Sequence, residues 1–307
     1  MRDELERAGI AVFERGWLSS NNVLLHGDAH HGAVLVDTGY WIHAEQTMAL
    51  LRHALAGAPL TRVLNTHLHS DHCGGNAAVQ AAFGCGIDVP AGEAAAVDEW
   101  DEHKLTYAAT GQHCPRFRRA GVLRAPREIQ AGRWSWQVIS SPGHDPESVA
   151  LYQPELQVLI SADALWENGF GVVFPELEGE SAFEHVGGTL ETFARLNIRW
   201  VIPGHGAPFA DASGAIDRAT RRLESFVAEP LGHALHAAKV LIKFRLLETQ
   251  SESWETLFAW LSTARYVGML HERYFADMQR EDWVRGLVDQ MCARGALVQR
   301  AGRIFNI

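Results

Sequence analysis

Within six consecutive residues, His67-Leu68-His69-Ser70-Asp71-His72, the chain sets four side chains able to bind a metal ion. The residues before them, Arg62-Val63-Leu64-Asn65, read as a buried strand. In extended backbone, side chains two apart point the same way, so His67 and His69 are expected to grip one ion together. Ser70 then opens a turn, and Gly74-Gly75 supply the tight backbone expected before a helix beginning near Asn76. That turn re-aims Asp71 and His72 toward a second ion. Imidazole and carboxylate ligands suit zinc, manganese and iron(II), so they narrow the metal without fixing it. Groups this close repel one another or need pairing unless a cation binds them.

The motif resembles the ligand motif of the metallo-β-lactamase superfamily, and further elements of that family's pattern follow in its order. Ser141-Pro142-Gly143-His144 resembles the third-histidine motif, and Ile160-Ser161-Ala162-Asp163-Ala164 resembles the strand end that carries a bridging aspartate. Val201-Ile202-Pro203-Gly204-His205-Gly206 is similar to the last histidine loop. Val34-Leu35-Val36-Asp37-Thr38-Gly39 is similar to an early element whose aspartate, here Asp37, holds the ligand loop by hydrogen bonds. Together they span about residues 20 to 210.

The resemblance implies an α/β fold, a four-layer αββα sandwich with a C-terminal helical appendage. It implies two divalent metal ions, zinc first among them, with iron or manganese also compatible. His67, His69 and His144 would hold one ion and Asp71, His72 and His205 the other, with Asp163 bridging. A water shared by the ions would be acidified to a hydroxide near neutral pH and attack a carbonyl, while Asp71 orients the nucleophile or passes its proton.

Size and charge agree with an enzyme of this kind. At 307 residues and 47% hydrophobic content the chain can bury a large core. A catalytic domain is expected over 1–210 and a mainly helical region over 211–307. The net charge of -10 disfavours a broad nucleic-acid-binding face. A charged N-terminus without an apolar signal core, and the lack of any bilayer-spanning stretch, lead to the expectation of a cytoplasmic protein without a membrane partner. Cys73, Cys85, Cys114 and Cys292 show no C-x-x-C spacing, so reduced thiols are expected. Cys73, beside His72, is read as a small buried residue at the helix start, with a ligand or reactive thiol as the alternative.

Taken in order, Ala11-Val12-Phe13, Asn22-Val23-Leu24-Leu25 and Ala33-Val34-Leu35-Val36 are short apolar runs between turns, an antiparallel start to a sheet. His26, His30 and His31 are expected to be loop residues away from the metals. Ala44 to Leu55 reads as an amphipathic helix, and Ala77 to Phe83 as another before a strand at Ile87-Asp88-Val89. From about Ala91 to Arg127 the pattern is irregular, a lid or a solvated connector, in which His103, Tyr107 and His113 could stabilise an oxyanion. Trp134 to Ile139, Glu147 to Tyr152 and Gln157 to Ile160 read as strands that deliver His144 and Asp163. Trp166 to Pro175 either walls a substrate pocket or packs in the core. A helix from about Ser181 to Leu196 precedes the Trp200-Val201-Ile202 strand and His205.

Beyond Ala210 the sequence is helical until a terminal hairpin, an order that loosely resembles the winged-helix module appended to some members of the superfamily. Balanced charge there points to packing, homodimerisation or pocket capping rather than DNA reading. His233 and His236 are expected on a helix surface.

Within the superfamily, a bridging aspartate such as Asp163 is what hydroxyacylglutathione hydrolases, lactonases and metal-dependent nucleases share, so the expected activity is hydrolysis of a small-molecule thioester, ester or lactone. The appendage leans toward the thioester side, although no glutathione-binding cluster of basic residues is recognisable. The alternatives are a persulfide dioxygenase with a single iron, and a nuclease or phosphodiesterase, which would need positive potential for its phosphates.

Overall fold

In the computed structural model, which describes residues 2–307, the apolar runs ahead of the ligand motif form one six-stranded sheet. Helix α1 (Arg2–Arg7) leads into β1 (Ile10–Phe13), β2 (Asn22–Leu25) and β3 (Ala33–Val36), which pair antiparallel. Every residue of β2 and β3 is buried, as expected where both faces of a sheet are covered. Helix α2 (Ala44–Leu55) buries the stripe Met48, Leu51 and Leu55 and ends on left-handed Ala56. It returns the chain to β4 (Leu60–Leu64), parallel to β3. A single turn, α3 (Ser70–Cys73), and helix α4 (Asn76–Phe83) precede the parallel strand β5 (Gly86–Pro90).

The irregular stretch that follows has more structure than its composition suggests. It holds α5 (Ala94–Glu99), α6 (Tyr107–Thr110) and β6 (Gly121–Leu123), the last closing the first sheet beside β5.

A second sheet carries the other ligand loops. Strands β7 (Arg127–Ala131), β8 (Trp134–Ser140), β9 (Val149–Gln153) and β10 (Val158–Ala162) form an antiparallel meander. The chain then crosses over through α7 (Phe174–Glu178) and α8 (Ala182–Ala194) to β11 (Trp200–Pro203), parallel to β10. Such a crossover lays its helix on the outer face of the sheet, and α8 buries Phe183, Val186, Leu190 and Phe193. The main core lies between the sheets: Val23, Leu25, Val34, Val36 and Leu64 meet Trp136, Val138, Leu151, Val158, Ile160 and Ile202. Helices outside and two sheets inside make the expected αββα sandwich.

The chain divides into two compact units. The first comprises 1–105 and 113–224; the second comprises 106–112 and 225–307. The division falls inside α9 (Ala212–Ala228) rather than at residue 210, and a short internal piece carrying α6 clusters with the C-terminal region. Within the second unit, α10 (Pro230–Thr249) and β12 (Ser251–Ser253) precede three helices, α11 (Trp254–Thr263), α12 (Arg265–Tyr274) and α13 (Arg280–Ala293). The terminal hairpin of β13 (Leu297–Arg300) and β14 (Arg303–Asn306) is as expected, and β12 adds a third antiparallel strand beside β14.

His233 is buried, contrary to the surface position expected for it. It lies on the stripe of Ala237 and Leu241, which α10 buries, with its ring 4.9 Å from that of Phe226. No helix among the described residues is long and apolar enough to cross a membrane.

Candidate metal centre

Strand β4 ends at Leu64, the chain bends at Thr66 and is extended at His69 (φ -62°, ψ 146°), and the rings of His67 and His69 lie 4.7 Å apart, edge to face. The turn of α3 then swings Asp71 and His72 round. Gly74 and Gly75 lie in ordinary helical conformations (φ -60° and -81°), so they are not there for backbone freedom. Their role is space: a Cβ on Gly75 would sit 2.6 Å from Thr38 O, and one on Gly74 2.6 Å from Trp41 N.

Three strand ends of the second sheet supply the other ligands. His144 follows β8, Asp163 follows β10 and His205 follows β11. A register shift in β10 between Ile160 and Ala162, with Ala162 at φ +47°, redirects the chain just before Asp163. All seven expected ligands converge in two groups, His67-His69-His144 and Asp71-His72-Asp163-His205, with the ligand atoms of each within 4.8 Å of one another. Asp163 stands between the groups: its Oδ2 is 3.5 Å from His144 Nε2 and 3.7 Å from His205 Nε2. Oδ2 of Asp71 is 3.1 Å from His205 Nε2.

The far sides of the rings are tied down. Asp37, at φ +56°, accepts from His72 Nδ1 (2.8 Å) and Thr66 Oγ1 (2.7 Å) on one oxygen and from Thr66 N (2.9 Å) on the other. His144 Nδ1 donates to Val172 O, which leaves its Nε2 as the ligand atom. Asn21 pins the His205 loop through bonds from its N to Gly204 O and from its Nδ2 to Pro203 O and Gly206 O, while Ser20 N donates to Asp71 O.

Electrostatics within the cluster favour a cation. Burial, followed by the neighbouring imidazoles, pushes His67 well below the ordinary histidine value and holds His69 down to about 3. Burial would also lower His72, but Asp163, Asp37 and Asp71 outweigh it and raise His72 well above that value. Burial tends to raise Asp163, yet His205 and His72 hold it well below the usual carboxylate range. Neutral His67 and His69 beside an ionised Asp163 are in the form a metal needs. His67 Nε2 and His72 Nε2 are buried without a hydrogen-bond partner, a costly state in the absence of an ion. The residues present therefore fit divalent metal ions.

Aromatic rings border the ligands. Trp166 Nε1 donates to Asp163 Oδ1 at 3.1 Å, and the ring of Phe174 lies 5.4 Å from that of His69. Both were candidates for either pocket wall or core, and both touch the centre. Trp17 was not foreseen: 56% exposed, it stacks on His205 at 5.3 Å and 11°. Asn21 and Asp145, whose Oδ2 is 3.9 Å from His69 Nε2, were also missed. These residues lie outside any ligand spacing, and only the third dimension brings them in. His30 and His31, expected as loop residues, are exposed, as are His103 and His113, which were candidates to stabilise an oxyanion, and Cys73 is buried and outside both ligand groups.

Comparison with known proteins agrees with this geometry. Residues 15–205 match the family model of the metallo-β-lactamase superfamily. A hydroxyacylglutathione hydrolase of Rhodospirillum rubrum is 31% identical over 166 residues, 50% of this chain; the chain thus spans little more than half, 57%, of that relative. Among solved structures, a metallo-β-lactamase family protein from Thermus thermophilus superposes with a TM-score of 0.57 at 20% identity, covering 97% of this chain and 99% of that one. The protein TTHA1623, solved in a di-iron-bound form, gives a TM-score of 0.55 at 23% identity, covering 68% and 98%. At these identities the structures speak for the fold alone.

Proposed function

The chain belongs to the metallo-β-lactamase superfamily, and on that premise we propose that it is a dinuclear metal-dependent hydrolase of a small-molecule thioester, ester or lactone. The observation that carries the reading is Asp163, whose Oδ2 lies within 3.5 Å and 3.7 Å of a histidine from each ligand group. A carboxylate so placed would serve two ions at once. His67, His69 and His144 would hold one and Asp71, His72 and His205 the other, with zinc as the first candidate. When bound, such ions acidify water and polarise a carbonyl oxygen.

The chain's own residues supply the remainder. Asp71, kept ionised by His72 and His205 against the effect of burial, is placed to accept a proton and pass it on. The indole N–H of Trp166 holds Asp163 Oδ1, which also faces His72 Nε2 at 3.4 Å, while Oδ2 lies between His144 and His205. Trp17, Trp166 and Phe174 offer apolar surface beside the ligands, which suits an apolar acyl or lactone chain and keeps water from the reacting bond. The thioester preference rests on the likeness to hydroxyacylglutathione hydrolases. The net charge of -10 argues against a phosphate-bearing polymer as substrate.

Metal content per chain, measured by elemental mass spectrometry on the purified protein and on His205→Ala, tests this. About two ions per chain falling toward one in the variant, with turnover of a thioester and lactone panel, is the expected result. A single iron indifferent to His205, with oxygen uptake on a persulfide, overturns it in favour of the dioxygenase.

A further inference from the structure

Two thiols lie against each other beside the ligand turn: Cys73 Sγ is 3.7 Å from Cys114 Sγ, and both residues are buried. Neither belongs to a ligand group. Cys73 is the last residue of α3, directly after His72, with its Sγ 3.3 Å from Leu68 O. Cys114 sits in the stretch 112–120, which contains neither helix nor strand. Among the described residues, no backbone–backbone hydrogen bond holds 113–119; side-chain bonds such as those between Gln80 and the Arg118 backbone anchor it. Backbone held so sparsely opens locally at low free-energy cost, which gives a small oxidant a route to a buried sulfur.

We propose that Cys73 and Cys114 form a peroxide-sensitive dithiol, a modification site whose disulfide disturbs the ligand turn. The Cys114 thiol attacks one oxygen of hydrogen peroxide; the O–O bond breaks, giving a sulfenic acid and one water. The Cys73 thiol then attacks that sulfur, the S–O bond breaks, and an S–S bond and a second water form. Two S–H bonds are lost, their protons end in the two waters, and two electrons pass from the sulfur pair to the peroxide. Closing the sulfurs from 3.7 Å to the disulfide length of about 2.05 Å requires the two segments to approach. Part of that movement falls on α3, in which His72, directly before Cys73, is held at its ring by Asp37 and at its carbonyl by Thr38 N.

The test is brief treatment of the purified full-length chain with a small excess of hydrogen peroxide, followed by intact mass, thiol counting after denaturation, and peptide mapping. The expected product is about 2 Da lighter, with two of the four thiols gone and a cross-linked peptide pair joining Cys73 to Cys114. Zinc, followed with a competing chelator, should be held about tenfold less tightly after oxidation, the scale on which support of a ligand matters. Cys114→Ser should give neither the cross-link nor the change in zinc retention, while Cys85→Ser with Cys292→Ser should give both. Oxygen addition at single cysteines without a cross-link, a cross-link between other cysteines, or a Cys73–Cys114 disulfide that leaves zinc retention unchanged would each overturn the proposal. The cross-link arm requires no metal, so its outcome is independent of the hydrolase reading.

Discussion

Trp17 lies parallel to the imidazole of His205, ring centroids 5.3 Å apart and planes 11° from coincidence, although more than half of the indole is exposed. An apolar ring left in water beside a ligand makes little contribution to the core, so removing it should leave the fold alone. We expect Trp17→Ala to unfold within about 0.5 kcal/mol of the parent. Its kcat/KM for thioesters with long apolar acyl chains should fall about tenfold, mostly through KM, with little change for acetyl thioesters. Steady-state kinetics on an acyl-chain series checks this; an equal loss on every chain length would show that the indole does not select the acyl group.

Asp37 accepts three hydrogen bonds, from His72 and twice from Thr66, at the start of the ligand loop. Asp37→Ala leaves the buried Thr66 N–H unsatisfied, at about 1–3 kcal/mol, and frees the His72 ring. Zinc affinity should drop by about 10- to 100-fold, measured by chelator competition. Retained affinity would mean that packing alone orients His72.

A methyl group separates two glycines whose substitution should behave in opposite ways. On Gly204 it would fall 2.1 Å from Asp163 Oδ1 and 3.0 Å from His72 Cε1, so Gly204→Ala must move the shared carboxylate. Metal content and activity should both collapse. On Gly188, inside α8, no heavy atom lies within 4 Å. Gly188→Ala should raise stability by about 0.5–1 kcal/mol, seen as a higher denaturant midpoint.

In the metal-free protein the depressed imidazoles should cost stability in acid. Below the ordinary histidine value of about 6.5, His69, held down to about 3, stays neutral in the folded chain while its unfolded counterpart takes a proton. His67 and His144 behave likewise, with burial the first cause in each. The unfolded state then binds more protons, so the stability these groups give is present above about 6.5 and drains away as pH falls toward their folded values. His72, raised by its carboxylates, acts in the opposite sense: its contribution is present below about 6.5 and is lost as pH rises through its higher folded value. Three depressed imidazoles outnumber one raised. Buried Asp145, raised to about 6, and Glu93, raised well above its ordinary value, also act against that loss, so the test is a difference: the urea midpoint of the metal-free chain should fall more steeply from pH 7 to pH 4.5 than that of His69→Ala, and parallel profiles would contradict the electrostatics described for the cluster.

What could be read in advance was what local sequence encodes. The buried strand from Arg62 to Asn65 and the helical stripe Met48-Leu51-Leu55 were legible because each is set within a dozen residues, and the strand-end ligands His144, Asp163 and His205 were legible through the likeness of their flanking residues to the superfamily's motifs. Trp17, Asn21 and Asp145 were not, since their partners His205, Gly204 and His69 lie far off in sequence and meet them only once the sheets have packed. Gly74 and Gly75 were found for the wrong reason, because a glycine that makes room and one that bends the chain look alike in sequence. The second unit's claim on 106–112 depends on α6 meeting α12, a contact with no local signature.

The two sheets divide the ligands unequally, and neither can enclose an ion by itself. The first brings His67, His69, Asp71 and His72; the second brings His144, Asp163 and His205, and each group draws on both. An ion seated here would work as a clasp, closing a loop that runs over 134 residues between Asp71 and His205 and opposing the chain entropy that favours separating the layers. Starving such a protein of metal would be felt first as a parting of the sandwich at one rim, with the hydrogen-bonded strands on either side still whole.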